Sequence, residues 1–134
     1  MRKNNFAFDS VYIVDDNKTI NLLHFQVIKN TGIAKDIKVY INPLDALDDL
    51  KKEVISTSND IMVLLDINME QINGFDFLDS LLSINITGLL NIVMVTSSTD
   101  PQIRQKSLGH PMVSDYINKP LTKEDIFDIV QIAK

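Results

Sequence analysis

Four short, mostly apolar runs in this chain each deliver a charged or hydroxyl residue at the C-terminal end. Val11–Val14 leads into Asp15 and Asp16, and Ile61–Leu65 leads into Asp66. Asn91–Val95 leads into Thr96, and Asp115–Asn118 leads into Lys119 and Pro120. If the runs are neighbouring parallel strands, three carboxylates, a hydroxyl and an ammonium meet at one sheet edge. In open α/β sheets that edge is where ligands bind. Carboxylates crowded into one pocket repel each other, so they have raised pKa values or need a cation. A small hard divalent ion such as Mg²⁺ suits oxygen ligands and keeps several waters. No Cys or His neighbours the runs, which argues against zinc.

Under such a cation Asp66 is either a plain ligand or a nucleophile that attacks phosphorus and forms an aspartyl phosphate. Thr96 and Lys119 favour the nucleophile, because a hydroxyl and an ammonium are what the peripheral oxygens of a transferring phosphoryl group need. Each residue also has a plainer reading. Asp15 and Asp16 could cap the helix that follows. Thr96 could cap a strand end, and Lys119 could be a solvated lysine. The joint placement at one edge outweighs those separate readings. Ser97, being small, leaves a path to Asp66, and a cis Lys119–Pro120 bond would turn Lys119 inward.

The elements that must hold these groups alternate strand and helix five times. The first strand is expected at about Ser10–Val14. A helix follows from Lys18 to about Lys29, with Ile20, Leu23, His24, Val27 and Ile28 at helical spacing and Gly32 ending it in a left-handed position. Ile37–Ile41 alternates like a half-exposed edge strand. Asn42 caps the next helix, with Pro43 in its first turn and Leu44, Leu47, Leu50 and Val54 inward. Ile61–Leu65 and Leu89–Val95 are apolar throughout, as strands covered on both faces are. Between them lie the loop Asp66–Gly74 and a helix with Phe75, Leu78, Leu81 and Leu82 inward. Asp100 and Pro101 start a short polar helix that Gly109 ends, and Val113–Ile117 is the fifth strand. Thr122 and Asp125 form a capping box for the last helix, whose core face is Ile126, Phe127, Ile129, Val130 and Ile132. Alternating βα units imply a parallel sheet with right-handed crossovers and helices on both faces.

Composition narrows the classes. The chain has 134 residues, 45% hydrophobic and 23% charged, which is one soluble globular domain able to bury a core. Residues 1–9 read as a lead-in and 10–134 as the domain. The net charge of −5 and a pI of about 4.8 argue against nucleic-acid binding. There is no cysteine, no apolar run long enough to span a bilayer and no signal-like stretch, so the expectation is a cytoplasmic protein that engages no membrane.

From Ser10 onward the chain resembles the receiver domains of bacterial two-component response regulators, which have the CheY-like, flavodoxin-like fold. The matching pieces are Val14-Asp15-Asp16, Leu65-Asp66-Ile67-Asn68-Met69 with Gly74 eight residues past Asp66, Val95-Thr96-Ser97, and Tyr116-Ile117-Asn118-Lys119-Pro120. The resemblance implies a doubly wound sheet of order 2-1-3-4-5 with five helices. It implies that Asp66 is the phosphoacceptor, that Asp16 binds Mg²⁺ directly and Asp15 mainly through water, and that Asn68 offers its backbone carbonyl to the metal. Thr96 and Lys119 would contact the phosphoryl oxygens, and Tyr116 would be the switch aromatic. Asn68 and Ser98 stand where the family tunes phosphoryl lifetime.

The donor would be a sensor histidine kinase or a phosphotransfer protein, and the output a partner protein or a relay step. The chain would be a stand-alone receiver, not a turnover enzyme, and a monomer or a phosphorylation-dependent dimer. Glu70 departs from the proline usual at that position; it leaves the loop less stiff and adds negative charge near the site. Three rivals differ by residue. A haloacid-dehalogenase-like phosphohydrolase needs an acid where Asn68 stands. A flavodoxin-like flavin module wants a hydroxyl- and glycine-rich loop in place of Asp15-Asp16-Asn17. An acidic interaction domain that is never phosphorylated has only Glu70 in its favour.

Overall fold

A computed structural model describes residues 6–86 and 88–133, the side chains of 132 and 133 excepted. Most of the expected lead-in (residues 1–5), Lys134 and the side chain of Ile132 lie outside the described residues.

Five strands and five helices alternate: β1 Phe8–Val14, α1 Lys18–Thr31, β2 Ala34–Tyr40, α2 Pro43–Ser56, β3 Ile61–Asp66, α3 Gly74–Asp79, β4 Leu90–Thr96, α4 Pro101–Gly109, β5 Val113–Asn118 and α5 Lys123–Ala133. All pairings are parallel, in the order β2-β1-β3-β4-β5. β1 begins at Phe8, two residues earlier than expected, because Phe8 is fully buried and its amide donates to the Ile33 carbonyl at 2.9 Å.

Alternation along each strand divides the core in two. Tyr12, Val14, Val63, Leu65, Ile92 and Met94 pack against α2 and α3 residues such as Leu50 and Leu78. Val11, Ile13, Met62, Leu64, Val93, Val95 and Ile117 pack with Ile28 of α1 and Ile126 and Ile129 of α5. Because both faces are covered, Val11–Val14 of β1, Ile61–Leu65 of β3 and Ile92–Val95 of β4 read as unbroken apolar runs; β2, at the sheet edge, is only half-buried.

The helix boundaries follow local chemistry. Asn17, Asn42, Asn73 and Asp100 each cap a helix by accepting a backbone N–H two or three residues on. Thr122 and Asp125 exchange reciprocal bonds, the Thr122 amide to Asp125 Oδ2 at 3.0 Å and the Asp125 amide to Thr122 Oγ1 at 3.2 Å. Gly32 closes α1 with φ +68°, a conformation that costs glycine little.

Four residues expected inward are exposed: Leu23, Leu44, Leu82 and Phe127. α1 turns Asn21, His24 and Ile28 to the core, so Leu23 falls off that stripe. Leu44 sits in the first turn of α2, ahead of the stripe formed by Leu47, Leu50 and Val54. α3 ends at Asp79, so Leu82 is not on its face, while Phe77 is buried instead. On α5, among the described residues, Ile126 and Ile129 are buried.

Candidate functional site

The strand order brings the C-terminal ends of β1, β3, β4 and β5 side by side. Val14 is paired with Leu65, Asp66 with Val95, and Thr96 with Asn118. Asp15 is therefore level with Asp66, Thr96 lies one residue further along this edge and Lys119 two.

The N-cap of α1 is Asn17, whose side chain accepts from the Ile20 amide at 3.1 Å. Asp15 and Asp16 are thus free of the capping role. Asp15 is buried and its Oδ1 accepts from the Asn17 amide at 2.9 Å, which tightens the turn that follows β1. Asp66 is buried and Asp16 exposed. One carboxylate oxygen from each of Asp15, Asp16 and Asp66 lies within 4.8 Å of the others. A donor set of three hard oxygens fits a divalent cation such as Mg²⁺.

Lys119 bridges two of these carboxylates. Its Nζ lies 2.6 Å from Asp15 Oδ2 and 3.0 Å from Asp66 Oδ1. The Lys119–Pro120 peptide is cis, and the Lys119 amide donates to the Thr96 carbonyl at 2.9 Å. Burial, then the charge of Asp15, push the Asp66 carboxyl up from 3.8 to about 6, against the pull of Lys119. Burial opposes the Lys119 charge, but its bonds to Asp15 and Asp66 outweigh burial and raise its pKa. Asp66 is thus a buried carboxylate still mostly ionised at neutral pH, with an ammonium fixed on one oxygen.

Gly74 lets the loop after β3 fold back over this edge. Its amide donates to the Ile67 carbonyl at 2.8 Å, and a Cβ there would stand 2.8 Å from the Asp66 carbonyl oxygen. Asn68 lies in this loop with an exposed side chain. Glu70 is exposed and, with Asp16, Asn42 and Gln71, lines a cleft of about 260 Å³ beside the acidic cluster.

Thr96 and Tyr116 stand apart from the ion pairs. The buried Thr96 hydroxyl accepts from the Ser98 amide at 3.1 Å. Tyr116 is half-buried; its hydroxyl donates to the Ser98 carbonyl at 3.2 Å, and the Arg104 guanidinium lies 5.9 Å from its ring. The Asn118 side-chain Nδ2 donates to the same carbonyl at 2.8 Å. One loop after β4 therefore binds Thr96, Tyr116 and Asn118 together. Ser97 in that loop is exposed.

Sequence reasoning put His24 on the core stripe of α1 without a role and missed Asn21 beside it. Asn21 donates to the Asp15 carbonyl at 2.7 Å and the Tyr40 carbonyl at 3.2 Å. His24 Nε2 accepts from the Leu121 amide at 3.2 Å. A helical stripe containing a His and an Asn among apolar residues was the available signal; the partners, in distant loops, were not visible.

The response regulator receiver domain profile matches residues 11–131. A probable methanogenesis regulatory protein, FilR2, of Methanothrix harundinacea is 28% identical over 126 residues, covering 92% of this chain and 80% of that protein. A protein-glutamate methylesterase/protein-glutamine glutaminase of Burkholderia thailandensis is 26% identical over 119 residues; the match covers 88% of this chain but only 31% of that relative's length. The crystal structure of a two component response regulator from Cytophaga hutchinsonii superposes with a TM-score of 0.81 at 25% identity, covering 92% of this chain and 95% of that one. Among the described residues no helix is long and apolar enough to cross a membrane. With the five-stranded parallel sheet in the order 2-1-3-4-5 and a family match running almost end to end, the chain belongs to the response regulator receiver domain family.

Proposed function

We propose that the protein is a phosphorylation-controlled signalling receiver acting in the cytoplasm, with Asp66 as phosphoacceptor. The observation that carries this reading is the meeting of Asp15, Asp16 and Asp66 with the Lys119 ammonium, 3.0 Å from Asp66 Oδ1. The donor class is a phosphohistidine on a sensor histidine kinase or a phosphotransfer protein. An Asp66 oxygen attacks phosphorus, the P–N bond to imidazole breaks, and the imidazole leaves with the electron pair.

Asp15, Asp16 and Asp66, with the Asn68 backbone carbonyl, would hold Mg²⁺, which when bound offsets the charge gathered between nucleophile and phosphoryl group. Lys119 supplies a fixed positive charge for a peripheral oxygen. Thr96 supplies a hydroxyl for another, and to reach it must give up the Ser98 amide. That exchange loosens the loop after β4, on which Tyr116 and Asn118 also hold. Tyr116 is then free to turn inward, changing the surface of the last two βα units that an output protein or relay partner reads. The reading makes the chain a signalling domain and not an enzyme acting on an external substrate.

The haloacid-dehalogenase alternative is disfavoured by Asn68 in place of a second acid. Incubation with acetyl phosphate and Mg²⁺ followed by intact-mass measurement tests the proposal. The wild-type protein gains one phosphoryl group and Asp66→Asn gains none. No gain in the wild type at any Mg²⁺ concentration contradicts it.

A further inference from the structure

α1 carries two buried polar side chains on the side that also turns Ile28 to the core. Asn21 and His24 are 3% and 2% exposed, and they sit three residues apart, hence on one side of the helix. A buried polar group is expensive unless it is bonded. Asn21 is only partly compensated, because its Oδ1 is buried without a hydrogen-bond partner. Packing alone therefore gives no reason for asparagine there.

Both residues bind backbone, Asn21 that of a site residue and His24 that of a residue two positions past one. Asn21 Nδ2 donates to the carbonyl of Asp15 itself and to that of Tyr40. The Tyr40 carbonyl also receives the Asp15 amide at 3.2 Å, so the peptide groups on both sides of Asp15 are tied to one point at the end of β2. His24 Nε2 accepts the amide of Leu121, two residues past Lys119 and 97 residues away in the chain. An imidazole nitrogen that accepts is unprotonated, and burial, which lowers the His24 pKa, keeps the ring neutral. The Lys119 amide is held from the other side by the Thr96 carbonyl.

We infer that Asn21 and His24 form a two-point clamp on α1 that sets the acidic loop after β1 against the lysine loop after β5, fixing Asp15 and Lys119 at their 2.6 Å contact. They are positioning residues, touching neither a metal nor a phosphoryl group. The inference rests on the roles proposed above for Asp15 and Lys119, but its geometry is testable without either ligand. The two arms act on different groups. Asn21 sets a carboxylate at the cation site; His24 sets the ammonium.

The test uses NMR on the full-length protein. The Lys119 ammonium signal, assigned by its loss in Lys119→Arg, is followed without metal, and Mg²⁺ affinity by chemical-shift titration. His24→Leu loses the ammonium signal and keeps its Mg²⁺ affinity. His24→Gln, whose side-chain oxygen can accept the Leu121 amide, keeps both. Asn21→Leu weakens Mg²⁺ binding about tenfold, as loss of a group that orients a ligand does. Should a leucine variant not fold, His24→Asn or Asn21→Ser, polar but too short to reach, carries the same expectation. A folded His24→Leu or His24→Asn that keeps the ammonium signal overturns the inference, as does a folded Asn21 variant with wild-type affinity. Wild-type protein with the ammonium signal but no Mg²⁺ binding contradicts the proposed function instead, and the His24 arm still decides the clamp.

Discussion

Asp66 is held between opposing demands. The proposed nucleophile role needs it ionised, yet it is buried beside Asp15, and its pKa rises to about 6. The unfolded carboxyl ionises first as pH climbs, so the folded state loses stability between pH 3.8 and about 6, and that loss is complete above. Asp66→Asn removes the cost. Metal-free Asp66→Asn should be more stable than wild type by about 1–3 kcal/mol at pH 7.5, since one pKa unit corresponds to about 1.4 kcal/mol. By pH 4 the difference should nearly vanish, and denaturant melts at the two pH values check it. Much at this scale was legible: Asp15, Asp16, Asp66 and Lys119 each follow an apolar run, and the chemistry of each is plain from its type. Asn21 and His24 were not, because their partners at Tyr40 and Leu121 are set by tertiary packing.

At the scale of elements, α2 is fastened to β1 by a buried carboxylate. Glu53 accepts from Ser10 Oγ and Tyr12 Oη at 2.6 Å each, from Asn59 Nδ2 at 3.0 Å and from Lys38 Nζ at 3.1 Å. Burial alone would raise its pKa, but these four bonds together hold it at about 2, below the ordinary 4.5. A lowered carboxylate contributes stability above its unfolded pKa and loses it as pH falls, here between 4.5 and about 2. Glu53→Gln should cost about 1–3 kcal/mol at pH 7, the gap to wild type closing below pH 3 in urea melts. This network was hidden in the sequence, where Glu53 reads as one more charge on a surface helix and its partners Ser10 and Tyr12 lie more than 40 residues away. The capping signals, by contrast, were readable because they are local. Asn42 and the Thr122–Asp125 pair act within three residues of themselves. Leu82 and Phe127 were misplaced for a related reason: periodicity gives a stripe, but the helix end and the neighbour it meets decide which residues are covered.

For the whole molecule, the alternation of strand and helix was enough to expect the doubly wound sheet, and the alternating Ile37–Ile41 segment to expect β2 at its edge. The register that brings four strand ends level was not in the sequence; it comes from parallel pairing of β1, β3, β4 and β5. That register gathers residues spread from Asp15 to Lys119 into one site. The same edge holds Asp66, the proposed phosphoacceptor, and, one residue beyond its strand partner Val95, the Thr96 hydroxyl tied to the Tyr116 loop. The central claim is that a phosphoryl group forms an acyl phosphate on Asp66. Treating the protein with acetyl phosphate and Mg²⁺, reducing it with borohydride and mapping its peptides by mass tests this directly, because reduction converts an aspartyl phosphate to homoserine. Homoserine at position 66 alone is the predicted result. Homoserine at another aspartate, or none in protein that has gained a phosphoryl group, would contradict the assignment.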